Sequence, residues 1–157
     1  MRAEDIMIPV IDFLKPDDTL KKAVILLRTT RSGEECIGSK GLPVKDDFGK
    51  LVGILSMRDV LKAMLPFYMD MLDLGDFSWE GMVEGIAKRS GERLVRDIMS
   101  KVVVAVSKDA PLMECIDHML KHRVKRLPVI GETGVVIGML YEHNLFLAVT
   151  KEMFYED

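Results

Sequence analysis

Ser56, Arg58 and Asp59 sit together in one short segment, directly after the apolar run Leu51–Leu55. A carboxylate at Asp59 accepts two hydrogen bonds at once, which suits a pair of vicinal hydroxyls. Ser56 falls where an extended run gives way to a helical one. Its hydroxyl and the unpaired N–H groups of a helix start suit an anion. The same two residues also make an ordinary helix start, with Ser56 as N-cap and Asp59 as a first-turn acid favoured by the helix dipole. Both readings want the same residue types, and both stay open. A second candidate is His122-Arg123-Val124-Lys125-Arg126, a cationic run before Leu127-Pro128-Val129. It offers charge to an anionic ligand, or it is a solvated helix end stabilised by the dipole, which is the reading of Arg123.

Other reactive residues carry less. His118 and His122 are spaced i, i+4 and suit a shared metal. No third ligand stands near them, and the zincin glutamate is missing, so no metal site is expected. Cys36 and Cys115 have no histidine or acid at a suggestive spacing, and Cys115 lies on an apolar stripe; both read as packing or surface residues. The 12 methionines read as core gap-fillers. There is no Walker loop, no G-x-S-x-G and no nucleophile–base pair. The expectation is no catalytic residue, no enzyme and no required cofactor.

The elements that position these residues occur twice. Asp5-Ile6-Met7 returns as Asp97-Ile98-Met99 and Leu20 as Leu112, both at an offset of 92 (97 − 5 and 112 − 20). Leu42-Pro43-Val44 returns as Leu127-Pro128-Val129, and Gly53-Ile54-Leu55 as Gly138-Met139-Leu140, both at an offset of 85 (127 − 42 and 138 − 53). Such repeats decide the architecture. Repeat 1 reads as an extended stretch Val10–Leu14, a helix capped by Asp17-Asp18 with the stripe Leu20, Ala23, Val24 and Leu27, a strand Leu42–Val44, a turn Asp46-Asp47-Phe48-Gly49, a strand Leu51–Leu55 and a helix from Ser56. Repeat 2 reads as Val102–Val106 extended, a helix capped by Asp109 with the stripe Leu112, Cys115, Ile116 and Met119, strands Leu127–Ile130 and Val135–Leu140 around Gly131-Glu132-Thr133-Gly134, and a helix from Tyr141. Each unit is β-α-β-β-α. The divisions are 1–65 for repeat 1, 66–93 for a linker and 94–157 for repeat 2. Pro66 ends a helix, and Trp79, Met82, Val83 and Ile86 make the linker an amphipathic helix weakened by Gly81 and Gly85.

The chain of 157 residues is 48% hydrophobic and 30% charged, enough for one compact domain or two small fused units. A net charge of −3 gives no attraction to nucleic acid or to an anionic membrane. No apolar run approaches the roughly 20 residues that span a bilayer, and no signal peptide opens the chain. Two cysteines without a C-x-x-C make a reducing cytoplasm the simplest compartment.

D-I-M, a capped helix, L-P-V and G-h-L-S-x-x-D, twice in register, resemble the tandem CBS domains of the Bateman module. The resemblance covers about four-fifths of the chain. It implies an α+β fold of two β-α-β-β-α repeats related by pseudo-two-fold symmetry, here with an inserted helical linker. It implies clefts between the repeats that in many members bind AMP, ADP, ATP or S-adenosylmethionine, and a regulatory role toward an attached or partner protein. Residues matching Asp59 and Ser56 hold ribose and phosphate; those matching Lys125 and Arg126 reach phosphate, and those matching Val103 and Val104 line the adenine. Ile54 and Arg58 belong to the same nucleotide-binding set. The alternatives are a purely structural dimerisation module and an S-adenosylmethionine sensor. A homodimer is expected, with the stripes Leu20/Val24/Leu27 and Leu112/Ile116/Met119 shared between core and interface.

The two implied clefts are unequal. Ser56 corresponds to Tyr141, a bulky ring in place of a small hydroxyl, and Asp59 to Asn144, which carries no charge. Lys125-Arg126 corresponds to Lys40-Gly41, and Val103-Val104 to Ile11-Asp12. The cleft of Ile11, Lys40, Tyr141 and Asn144 is therefore expected to be the weaker one for an anionic nucleotide.

Overall fold

The doubled pattern folds into two units that share one strand plan. The computed structural model describes residues 1–10, 12–29, 41–65, 82–101 and 103–155. Ile11, Cys36, Lys40, Pro66 and Trp79, on which expectations fell, lie outside them. Unit 1 comprises Met1–Phe13, Lys45–Leu51 and Val102–Asp157; unit 2 comprises Leu14–Val44 and Val52–Lys101. The sequence repeats and the compact units are therefore different divisions of the same chain. Each unit takes its opening segment from the other repeat.

In unit 1 the elements are α1 (Ala3–Ile6), β1 (Ile8–Pro9), β4 (Val106–Ser107), α6 (Leu112–Lys121), β5 (Arg126–Ile130), β6 (Val136–Tyr141) and α7 (Glu142–Lys151), followed by a 3-10 turn Glu152–Phe154. The sheet order is β1-β6-β5-β4. β1 and β5 flank β6 antiparallel, and β4 runs parallel to β5, with Ile8 opposite Met139 and Val106 opposite Val129. The apolar stripe of α6 closes the core with Cys115 and Met119, against Leu127, Val129, Leu140 and Leu145.

Unit 2 holds α2 (Leu20–Thr29), α3 (Met57–Ala63), α4 (Met82–Ser90) and α5 (Val95–Ile98), with the hairpin β2 (Gly41–Lys45) and β3 (Leu51–Ser56). Single bridges stand where unit 1 has two-residue strands: Leu14 pairs parallel with Val44, and Ser100 antiparallel with Ile54. These pairs are the unit 1 pairs Val106–Val129 and Ile8–Met139 displaced by the same 92 and 85 residues (106 − 14, 129 − 44; 100 − 8, 139 − 54). Leu14, Leu20, Ala23, Leu27, Leu42, Val44, Leu55 and Val95 form the core.

Several local expectations change. The extended stretches pair only at their ends: from Val10–Leu14 the bridge is Leu14 with Val44, and from Val102–Val106 the strand β4 takes Val106 and runs on to Ser107. The helix after Pro16 is started by Thr19, whose hydroxyl accepts from Lys22 N at 3.3 Å; Asp18 instead accepts from Lys15 N and pairs with Lys22 Nζ at 3.0 Å. Asp109 does not cap α6: Pro111 is the N-cap, and Asp109 pairs with Arg2 at 3.3 Å. Leu20, Leu27 and Met119 are buried within their own units, so these members of the two stripes serve the core. The turn at Asp46 forms as read, with Asp46 Oδ1 accepting from Phe48 N and Lys50 N and Gly49 at a φ of 79°.

Candidate functional site

Unit 2 builds the junction that carries Ser56 and Asp59 from β3. Ile54 exchanges both backbone hydrogen bonds with Ser100, at 3.0 and 2.9 Å, which fixes the strand's outer edge. Gly53 permits this approach: a Cβ there would lie 2.5 Å from Met99 Sδ and 2.9 Å from the Ser100 carbonyl oxygen. Leu55 points into the core, and Ser56 then turns the chain into α3 with extended backbone angles, φ −105° and ψ 165°.

The side chains of Ser56 and Asp59 form a reciprocal cap. Ser56 N and Ser56 Oγ each donate to Asp59 Oδ2 at 2.9 Å, and Asp59 N donates to Ser56 Oγ at 3.1 Å. This is the capping box, which satisfies two backbone donors that a helix start otherwise leaves open. The helix-start reading of the pair is thus realised. It also fixes the carboxylate: Oδ2 is held by Ser56, whereas Oδ1 makes no hydrogen bond among the described residues. Ser56 is 7% exposed and its hydroxyl proton is committed to Asp59. Asp59 is half-buried, Arg58 exposed and Ile54 half-buried.

Unit 1 holds the remaining residues. Val103 and Val104 are half-buried, and Val104 packs against that unit's core. Lys125 is exposed; its carbonyl accepts from Glu142 N at 3.0 Å, tying the cationic run to the start of α7. Arg126 opens β5 directly opposite Tyr141, the last residue of β6. Tyr141 is the N-cap of α7 but makes no side-chain cap bond, and Asn144 is half-buried in the first turn. Unit 1 therefore sets Arg126 opposite Tyr141 and ties Lys125 to Glu142 at the start of α7, although the sequence reading put the two cations and Tyr141 in different clefts. The position in repeat 1 equivalent to Arg126 is Gly41 (126 − 85), which has no side chain. The Asp59 junction thus lacks both the bulky ring and the long cation of its counterpart.

The sequence reading missed the role of the two glycines. Gly138 repeats the Gly53 arrangement: a Cβ there would meet Met7 Sδ at 2.5 Å and the Ile8 carbonyl oxygen at 3.1 Å. The signal was present, since each D-I-M has a G-h-L partner in the other repeat. Cys115 is fully buried and burial pushes its thiol above the ordinary range, which suits packing and not nucleophilic chemistry. Among the described residues no three His, Cys, Asp or Glu side chains group to hold a metal ion, and no helix is long and apolar enough to cross a membrane.

Comparison with known proteins places these residues in context. The family model for the CBS domain matches residues 3–66 and 95–151. An inosine-5'-monophosphate dehydrogenase of Methanocaldococcus jannaschii is 30% identical over 139 residues, 88% of this chain and 22% of that protein. An uncharacterized protein of the same organism is 30% identical over 122 residues, covering 69% of this chain and 72% of its own. The chain thus spans about a fifth of the dehydrogenase and about seven-tenths of the second relative. The crystal structure of CBSX2 in complex with AMP, a protein also solved from Arabidopsis thaliana, is 27% identical with a TM-score of 0.67 and coverage of 97% and 98%. A CBS domain-containing protein from Bacillus anthracis shares the fold at 18% identity, with a TM-score of 0.73 and coverage of 97% and 94%.

Proposed function

The chain belongs to the CBS domain family, and on that premise we propose that it is a cytoplasmic regulatory module whose ligand is an adenine nucleotide of the AMP, ADP or ATP class. The observation that carries this reading is the Asp59 carboxylate, held through Oδ2 by Ser56, with Oδ1 accepting no hydrogen bond among the described residues and so placed to accept from a ribose hydroxyl. Ser56 then acts by positioning Asp59. In this reading Ile54 and Arg58, on the same strand and helix, serve the same ligand. The AMP complex of CBSX2 supports the choice of an adenine nucleotide. The role is that of a sensor that controls a partner protein; the dehydrogenase chemistry of a relative matched over 22% of its length is not carried to this chain.

A thermal-shift screen tests the reading. A ligand that binds only the folded state raises the melting temperature in proportion to the logarithm of its concentration over Kd. AMP, ADP or ATP at 100 times Kd is expected to add about 2.7 kcal/mol of stability. A shift with S-adenosylmethionine alone would change the ligand class, and no shift with any of the four at millimolar concentration would overturn the proposal.

A ligand-free dimerisation module is the second reading, and exposed apolar side chains favour it. Leu61 on α3 is 68% exposed and its repeat counterpart Phe146 on α7 (146 − 61 = 85) is 60% exposed. Isolated apolar residues on a surface need no explanation, but Met57, Leu61 and Leu65 make a stripe one turn apart, and Phe146 and Leu147 are adjacent. Light scattering at tens of micromolar protein is expected to give a dimer mass, and Phe146→Glu a monomer. A monomer in the unaltered chain excludes the dimer under either reading.

A further inference from the structure

Two of the chain's three histidines stand one turn apart at the C-terminal end of α6, His118 within the helix and His122 as its C-cap. Their ring centroids are 6.0 Å apart, with planes inclined at 49°. His118 Nδ1 lies 2.9 Å from the carbonyl oxygen of Glu114. A carbonyl only accepts, so Nδ1 carries the hydrogen and the neutral ring keeps its lone pair on Nε2. A carbonyl behind an imidazole in this way fixes the tautomer, orients the ring and strengthens Nε2 as a donor to a metal. The sequence spacing alone carried little weight; the ring placement and the tautomer are what the structure adds.

We propose that His118 and His122 form a two-imidazole chelate for a divalent transition ion of the zinc, nickel or copper class. Imidazole nitrogen suits these ions. Two rings sharing one ion through nitrogen at about 2.1 Å bring their centres to about 5 Å. The observed 6.0 Å therefore needs only a small closing rotation of exposed side chains. His118 has a third of its side chain exposed and His122 is exposed, so the ion reaches both from solvent. Asp117, with Oδ2 4.0 Å from His118 Nδ1, adds negative charge beside the site and is itself paired with Lys121 at 3.3 Å. No third protein ligand joins the pair among the described residues, so water completes the coordination.

The full chain, titrated with NiCl2 and with ZnCl2 at about pH 8, where free imidazole is neutral, is expected to bind one ion at the pair with micromolar affinity. His118→Ala and His122→Ala should each weaken binding at least tenfold, while His143→Ala leaves it unchanged. Imidazole NMR on the unaltered protein gives an answer independent of folding in the variants: Zn2+ should shift the His118 and His122 resonances and spare His143. Binding that survives either substitution, shifts confined to His143, or no perturbation of the pair at millimolar ion would overturn the proposal.

Discussion

Asp59→Ala is expected to weaken AMP binding by tenfold or more in titration calorimetry, and Asn144→Ala to leave it within twofold. The asymmetry follows from chemistry at equivalent positions. A hydrogen bond to a charged acceptor is worth about 1.5–3 kcal/mol, and about 1.4 kcal/mol is a factor of ten in affinity. Asp59 offers a charged oxygen already oriented by two hydrogen bonds from Ser56; Asn144 offers a neutral one in the first turn of α7. Removing the carboxylate also loses half of the capping box, which costs about 1 kcal/mol of stability. The melting temperature without nucleotide must therefore be measured beside the affinity. Asp59→Asn separates the effects, since it keeps an acceptor for the cap and removes the charge. Equal losses in Asp59→Ala and Asn144→Ala, or a larger loss in the second, would sink the assignment of the ribose contact to Asp59.

Gly53→Ala and Gly138→Ala are expected to destabilise the protein by about 1–3 kcal/mol each, the range for adding atoms to a closely packed site. At Gly53 the new methyl would meet Met99 Sδ at 2.5 Å and the Ser100 carbonyl at 2.9 Å; at Gly138 it would meet Met7 Sδ at 2.5 Å and the Ile8 carbonyl at 3.1 Å. A methionine sulfur moves aside at modest cost, but the carbonyls belong to backbone that is itself paired, Ser100 with Ile54 and Ile8 with Met139, and do not. Combining Gly53→Ala with Met99→Ala should therefore restore only part of the loss. Gly85→Ala is the control: it lies in α4, its nearest neighbour would be Arg89 at 3.9 Å, and alanine is the better helix former by about 1 kcal/mol. Urea unfolding of the four variants checks the set. Wild-type stability in Gly53→Ala would mean that the D-I-M segment is not packed against β3 as described.

The order of elements was legible because it rests on local signals. Alternation and turn residues marked the two hairpins, and helical spacing marked α2 and α6, so these stand within one or two residues of where periodicity places them. The short helices α1 and α5 were missed because one turn has no periodicity to read, although each ends on the repeated D-I-M motif, with the methionine as C-cap. Thr19 replaced Asp18 as a cap because either residue type serves and only the register of the first turn decides. The exchange of opening segments was invisible for another reason: pairing partners at large separation, such as Ile8 and Met139, leave no local pattern. At the candidate site the residue types of Ser56 and Asp59 were legible, but their mutual hydrogen bonds were not. That Arg126 stands opposite Tyr141 was not legible either, because it depends on which strand lies opposite which.

That exchange also sets an order of events during synthesis. Unit 2 contains nothing beyond Lys101, whereas β1 has no partner until β6, ending at Tyr141, has emerged. At the usual 5–20 residues per second, the 40 residues from 101 to 141 take roughly 2–8 s. Throughout that interval Ile6, Met7 and Ile8 wait as unpaired apolar chain while the segment that follows them is already complete. Unit 2 can therefore be completed before unit 1, and residues 6–8 find their partners only after the strand that follows Val135 is made.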